Sequence, residues 1–184
     1  EEPLARTPTP CLDGVAPRDD AVKAVVLPGS AGASGFDVDG EPSTGITVFD
    51  RSGSMSASWS MAEALPEGDA ANAVVTDKWA AASDALVASI LPVQHRVTIG
   101  ALLFPLPNGC EVAPLDDERQ FGFLPGPDFL AAWEERHGAY PPEGNTPLQS
   151  AFVRVEQALE QACIDGELDE RHYVILLTDG EPNC

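Results

Sequence analysis

Residues 46–55 read Ile-Thr-Val-Phe-Asp-Arg-Ser-Gly-Ser-Met, and more of the structure follows from this stretch than from any other. An apolar, β-branched run ends abruptly in Asp50, and Ser52 and Ser54 follow with a glycine between them. The run predicts a buried strand, and the polar residues predict a tight loop at its carboxyl end. Hard oxygen donors of this kind suit Mg²⁺, Mn²⁺ or Ca²⁺ rather than zinc or copper.

Two later segments carry the same kinds of side chain. Residues 144–148 read Gly-Asn-Thr-Pro-Leu and lead into apolar residues at helical spacing, which places Thr146 in a loop before a helix over 147–162. Residues 173–180 read Tyr-Val-Ile-Leu-Leu-Thr-Asp-Gly, which predicts a second buried strand that ends in Asp179.

Carboxylates that end two buried strands require a partner, because an unpaired buried charge is costly. No Lys or Arg lies within residues 174–182, and Arg51 should point away from Asp50 because side chains alternate along an extended chain. A divalent cation is therefore the simplest partner for both carboxylates.

Each segment alone has a simpler explanation. Asp50 and Ser52 can close a loop, Thr146 with Pro147 can cap a helix, and Asp179 with Gly180 can form a turn. The three segments together favour one shared metal site.

In sequence order, the Asp-x-Ser-x-Ser pattern, the loop threonine and the second aspartate resemble the metal-ion-dependent adhesion site of von Willebrand factor type A domains, the family that includes integrin I domains. The resemblance implies that Ser52, Ser54 and Thr146 donate hydroxyl oxygens to the ion. It implies that Asp50 and Asp179 act directly or through bound water. The implied cofactor is a divalent cation, Mg²⁺ first, with Mn²⁺ or Ca²⁺ as alternatives.

The order of elements predicts an α/β fold with an open, mostly parallel, doubly wound sheet and helices on both faces. Ligands of such sheets bind beyond the carboxyl ends of the strands, where Asp50 and Asp179 both lie. Residues 111–113 are interpreted as the start of an antiparallel edge strand, and Asp128 as the cap of a short helix. The main predicted elements are strands over 45–50, 96–104 and 173–178, and helices over 76–91 and 128–137.

Residues 1–44 are interpreted as an extended N-terminal arm and a Gly/Pro-rich segment, with one added strand around 22–27. Residues 45–184 form the expected domain of the von Willebrand type. The family's fold ordinarily continues with further strands and helices after the second aspartate. We therefore expect a missing C-terminal portion or a second chain to complete the sheet, unless the 22–27 segment covers its edge.

Composition limits the function. The 184 residues carry 10 basic and 30 acidic side chains, a formal net charge of −20. This balance argues against nucleic-acid binding, because no basic patch is available to neutralise phosphates. No apolar stretch has the length of a membrane span.

Four cysteines, Cys11, Cys110, Cys163 and Cys184, lack the paired spacing of a zinc site. Their even number and the abundant Pro fit an exported protein with disulfides. Residues 1–20 contain no signal peptide, so we expect that such a segment has been removed or is absent. The helix over 147–162 should run about 24 Å away from the metal end, which places Cys163 too far from Cys184 for a bond. The expected pairs are Cys110–Cys184 and Cys11–Cys163.

The resemblance implies a metal-dependent protein-binding or adhesion module at a bacterial cell surface or in the periplasm. The ion would keep one coordination position for an Asp or Glu of a protein partner, and Met55, Trp59 and Tyr140 are candidates for the apolar rim or for core packing. The alternative is a structural or assembly subunit whose site is filled internally, with Glu181 as the candidate ligand.

An enzyme is the third alternative and the least favoured. The three histidines, His95, His137 and His172, lie outside the site segments, and Ser54 has no base near it in sequence. We therefore expect a protein without catalytic activity.

Overall fold

The computed structural model describes residues 42–60, 75–107, 109–168, 172–180 and 182–184. The expected N-terminal arm and the strand around 22–27 lie outside these residues. The helices and strands of the described part are, in chain order, β1 Ser43–Asp50, β2 Ser58–Ser60, β3 Val75–Asp77, α1 Lys78–Ile90, β4 Val97–Phe104, β5 Phe121–Pro125, α2 Gly126–Arg136, α3 Leu148–Ile164 and β6 His172–Leu177.

Strand β1 lies inside a four-stranded sheet of order β5-β4-β1-β6. It pairs in parallel with both β4 and β6, and β5 is antiparallel to β4. Every residue of β1 is buried, as expected for a strand covered on both faces. The prediction of an α/β fold with a mostly parallel sheet is confirmed. Strands β2 and β3 form a separate antiparallel pair.

Two apolar clusters cover the two faces of the sheet, because side chains alternate along each strand. One cluster joins Phe49 of β1 to α1 and α2, and its centre is Trp133, whose indole N–H donates to the Ser83 hydroxyl at 2.9 Å. The other joins Ile46 and Val48 of β1 to Ala151, Val155 and Ala158 of α3. Helices therefore pack against both faces.

The antiparallel edge strand is β5, so the prediction of a strand start at residues 111–113 is wrong. Val112 belongs to the apolar cluster on the α3 side, and burial there takes the place of strand pairing. Gln120, the residue before β5, binds the backbone of β4. Its side chain accepts from the Leu103 N–H at 2.6 Å and donates to the Leu103 carbonyl at 3.1 Å.

Helices α1 and α2 begin in different ways. Asp77 caps α1 and accepts from the Ala80 N–H at 2.6 Å. Helix α2 begins at Gly126 after Pro125, so the predicted cap at Asp128 is wrong. A β-carbon on Gly126 would lie 2.3 Å from the Gln94 carbonyl oxygen, which explains why a residue without a side chain begins this helix.

The predicted disulfide Cys110–Cys184 is confirmed, with a Cα–Cα distance of 5.9 Å. Cys163 is also disulfide-bonded. Its predicted partner Cys11 lies outside the described residues. Among the helices that the structure describes, none combines the length and apolar character needed to cross a membrane.

The Cys110–Cys184 bond closes a loop with a sequence separation of 74. Loop-closure entropy predicts that replacing both residues by Ser lowers the free energy of unfolding by up to about 4 kcal/mol. Urea unfolding of the oxidised parent and the double variant measures the difference. A loss below about 1 kcal/mol would show that the bond adds little to the stability of this fold.

Candidate metal site

The candidate site lies where three parallel strands end together. Asp50 is the last residue of β1 and lies opposite Phe104, the last residue of β4. Phe49 is paired with Leu177, the last residue of β6. The loops that follow β1 and β6 therefore leave the sheet at the same edge. Helix α3 begins there too, two residues after Thr146.

A chain of polar contacts joins the loop after β1 to the loop after β6. The Ser52 N–H donates to Asp50 Oδ1 at 2.7 Å. The hydroxyl oxygens of Ser52 and Ser54 are 3.0 Å apart. The Ser54 hydroxyl then donates to Asp179 Oδ1 at 2.8 Å. Four of the five predicted site residues are thus brought into one connected group.

The fifth, Thr146, approaches the same group from the loop before α3. A β-carbon built on Gly180 would lie 3.8 Å from both Ser54 Oγ and Thr146 Oγ1. The two hydroxyls therefore face the same turn. Thr146 is buried, and its N–H donates to Asn183 Oδ1 at 2.6 Å.

Asp50 is fully buried, and both of its carboxylate oxygens have partners. Oδ1 accepts from the Ser52 N–H, and Oδ2 accepts from the Thr178 hydroxyl at 2.6 Å. Burial raises the pKa of Asp50 above its usual value, although these hydrogen bonds act in the opposite direction, and the nearby charge of Asp179 raises it further. Asp50 therefore connects the loop after β1 to the loop after β6 from the buried side of the site.

Arg51 points away from Asp50, as alternation along the chain predicts, and its guanidinium binds the loop that leads to Thr146. One Nη donates to the Pro105 carbonyl at 3.0 Å. The other donates to the Pro141 carbonyl at 2.7 Å and to Glu143 Oε1 at 3.0 Å. This buried side chain is a positioning group, and its charge is engaged outside the site.

Sequence reasoning missed three residues of the site: Lys78, Thr178 and Asn183. Residues 174–182 contain no Lys or Arg, but a basic partner reaches Asp179 from α1, because Lys78 Nζ forms an ion pair with Asp179 Oδ2. Thr178 adjoins Asp179 in sequence, so a longer pattern would have found it. Nothing local in the sequence connects Lys78 to Asp179, since the contact spans 101 residues and depends on the packing of α1.

Met55, Trp59 and Tyr140 are the candidates for the apolar rim or for core packing. Met55 is buried in the cluster of α1 and α2, which confirms core packing for this residue. Tyr140 packs against the same cluster and is half-buried, and Trp59 of β2 is half-buried. Glu181, the candidate internal ligand, lies outside the described residues.

The donor set has the chemistry that a small hard cation requires. Neighbouring ligands of octahedral Mg²⁺ lie about 3 Å apart, and the Ser52–Ser54 and Ser54–Asp179 oxygen separations are 3.0 and 2.8 Å. Within the described part of the chain, no group of three His, Cys, Asp or Glu side chains is placed to hold a metal. Two carboxylates with three hydroxyls, rather than such a group, are the candidate ligands.

Comparison with known proteins adds no assignment, since no family model, curated protein or solved structure matches the chain. The interpretation of the site rests on the residues and their geometry.

The raised pKa of Asp50 predicts the pH dependence of the metal-free protein. A carboxyl that binds its proton more tightly when folded stabilises the fold below the unfolded pKa, near 3.8, and loses that contribution as pH rises through the folded pKa. Asp50→Asn cannot titrate. We expect its free energy of unfolding to rise relative to the parent as pH increases from about 4 towards neutrality.

Urea unfolding of both proteins with EDTA, at intervals from about pH 4 to 8, measures this difference. Carboxylates remote from Asp50 titrate in both proteins and cancel in the comparison. A difference that stays constant with pH, or that changes in the opposite direction, would contradict the raised pKa.

Proposed function

We propose that this chain is a metal-dependent protein-binding module related to von Willebrand factor type A domains. Its divalent cation, Mg²⁺ first, would be held by Ser52, Ser54 and Thr146, with Asp50 and Asp179 acting directly or through water. The single observation that carries the proposal is the convergence of three separate segments at one sheet edge, joined through the Ser52–Ser54–Asp179 contacts.

The architecture supports the relationship to that family. A parallel β4-β1-β6 core with helices against both faces is the arrangement that the order of elements predicts for a doubly wound fold. The site occupies the sheet edge at which such folds bind ligands. The assignment of residues 45–184 to one domain of this type is part of the same proposal.

The exposure of the site residues supports a ligand from outside the chain. Asp50, Ser52 and Thr146 are buried, whereas Ser54 is exposed and the Asp179 side chain is 11 % exposed. An ion bound here would be enclosed on the side of the buried residues and open to solvent on the side of Ser54. Hydroxyl ligands are neutral, so the ion would retain positive charge and attract an Asp or Glu carboxylate of a protein partner.

One contact favours a second candidate, a structural or assembly subunit whose site is filled internally. Lys78 occupies Asp179 Oδ2 from within the chain. A site satisfied in this way would stabilise the fold without recruiting a partner.

A catalytic role receives less support than either. His137 Nδ1 lies 2.6 Å from the Trp133 carbonyl and its ring stacks on Trp133, while His95 and His172 precede β4 and begin β6 at the opposite edge. The Cys110–Cys184 bond is compatible with an oxidising compartment, and the proposed location is the cell surface or the periplasm.

Calorimetric titration of Mg²⁺ and Mn²⁺ into the metal-free protein tests the site. We expect saturable binding in the parent and none in an Asp50→Ala/Asp179→Ala variant, because the variant lacks both carboxylates. Circular dichroism establishes that the variant is folded. Absence of binding by a folded parent would remove the chemical basis of the proposal.

Water-proton relaxation by bound Mn²⁺ separates the two candidates. In the partner-binding candidate, the bound Mn²⁺ keeps an open coordination position that holds exchangeable water. We therefore expect enhanced water-proton relaxation, and we expect the enhancement to fall when acetate is added as a carboxylate probe. An internally filled site would bind Mn²⁺ with little enhancement and no response to acetate.

A further inference from the structure

Lys78 is the basic side chain that the structure places in the candidate site. Its ammonium pairs with Asp179 Oδ2, while Oδ1 of the same carboxylate accepts from Ser54. Asp179 therefore has both oxygens engaged before any metal binds. Arg51, which directly follows Asp50 in sequence, is engaged with Pro105, Pro141 and Glu143.

The position of Lys78 within α1 is unfavourable for a positively charged side chain. It is the first residue of α1, directly after the Asp77 cap. The positive end of a helix dipole favours acidic side chains there and disfavours a cation. Lys78 is also one of two lysines in a chain with 30 acidic residues, the other being Lys23. What stabilises the ammonium is Asp179, across the site.

The ion pair between Lys78 and Asp179 can separate without disrupting the fold around it. The Lys78 side chain is 32 % exposed and has a flexible four-carbon stem, so its ammonium can move into water. Arg51 cannot do so, because its side chain is 4 % exposed and is held by several acceptors. A divalent cation beside Asp179 would repel the ammonium and compete with it for the carboxylate.

We propose that Lys78 is a tethered cation that occupies Asp179 in the metal-free protein and lowers the affinity of the site for divalent metal. Metal binding then requires the Lys78–Asp179 pair to separate. The inference rests on the proposed metal site. It adds that the chain contains its own competitor, which restricts occupancy to conditions where the metal is abundant.

Mg²⁺ calorimetry on the full chain tests this with three variants. Lys78→Met keeps the apolar stem and removes the charge, and Lys78→Arg keeps the charge. Arg96→Gln removes one positive charge from an exposed residue next to the start of β4, at the opposite edge of the sheet. It is the matched control for net charge.

We expect Lys78→Met to bind Mg²⁺ about fivefold more tightly than the parent, the scale of a partly exposed ion pair. Lys78→Arg and Arg96→Gln should stay close to the parent. Thermal unfolding gives a second readout, since saturating Mg²⁺ should raise the melting temperature of Lys78→Met more than that of the parent.

The outcomes separate this inference from the proposed function. Binding by the parent with equal or weaker binding by folded Lys78→Met would overturn the role of Lys78 and leave the metal site intact. Tighter binding by Lys78→Arg or by Arg96→Gln to the same degree would also overturn it, because competition by the local charge would not be the cause. Absence of binding by both the parent and Lys78→Met would overturn the role and the site together.

Discussion

The burial of Asp50 at the end of the central strand is the constraint on which the rest of the site depends. A carboxylate without solvent exposure is costly unless its oxygens are bonded. The chain meets this need from two directions, with the Ser52 N–H from the loop after β1 and the Thr178 hydroxyl from the end of β6. Satisfying one buried group therefore fixes two loops in relation to each other, and the polar side chains on those loops converge as a consequence.

A second layer of contacts holds the third loop. Arg51 fixes residues 141–143 from inside the protein, and the Gly53 N–H donates to the Gly144 carbonyl at 3.0 Å. Asn183 bonds Thr146 from the other side, and the neighbouring Cys184 is bonded to Cys110. The Thr146 hydroxyl is thus positioned by groups on either side of it. Such support is what a binding site needs when its ligands lie on loops.

The charges of the site are balanced locally, although the chain is strongly acidic. Lys78 pairs with Asp179, so the ammonium offsets the charge of that carboxylate in the metal-free site. The overall net charge of −20 still favours cations near the surface. Under the proposed function, occupancy is set by competition between a tethered ammonium and a free divalent ion.

The sequence by itself determined the parallel α/β sheet, the carboxyl ends at which β1 and β6 present Asp50 and Asp179, and the loop position of Thr146. These follow from short-range patterns, because apolar runs and helical spacing are properties of neighbouring residues. The Cys110–Cys184 bond was also accessible, since helix length and strand direction limit which cysteines can meet.

Only the tertiary structure decided the edge strand, the partner of Asp179 and the place of Met55. Residues 111–113 follow a turn as an edge strand could, but the side chain of Val112 packs in the cluster on the α3 side and no strand forms there. Lys78 meets Asp179 only because α1 begins near the end of β6, a long-range arrangement with no local signal. Met55 belongs to the loop that carries Ser52 and Ser54, but its side chain lies in the core. The helical turn Gly53–Ser56 directs this side chain inward.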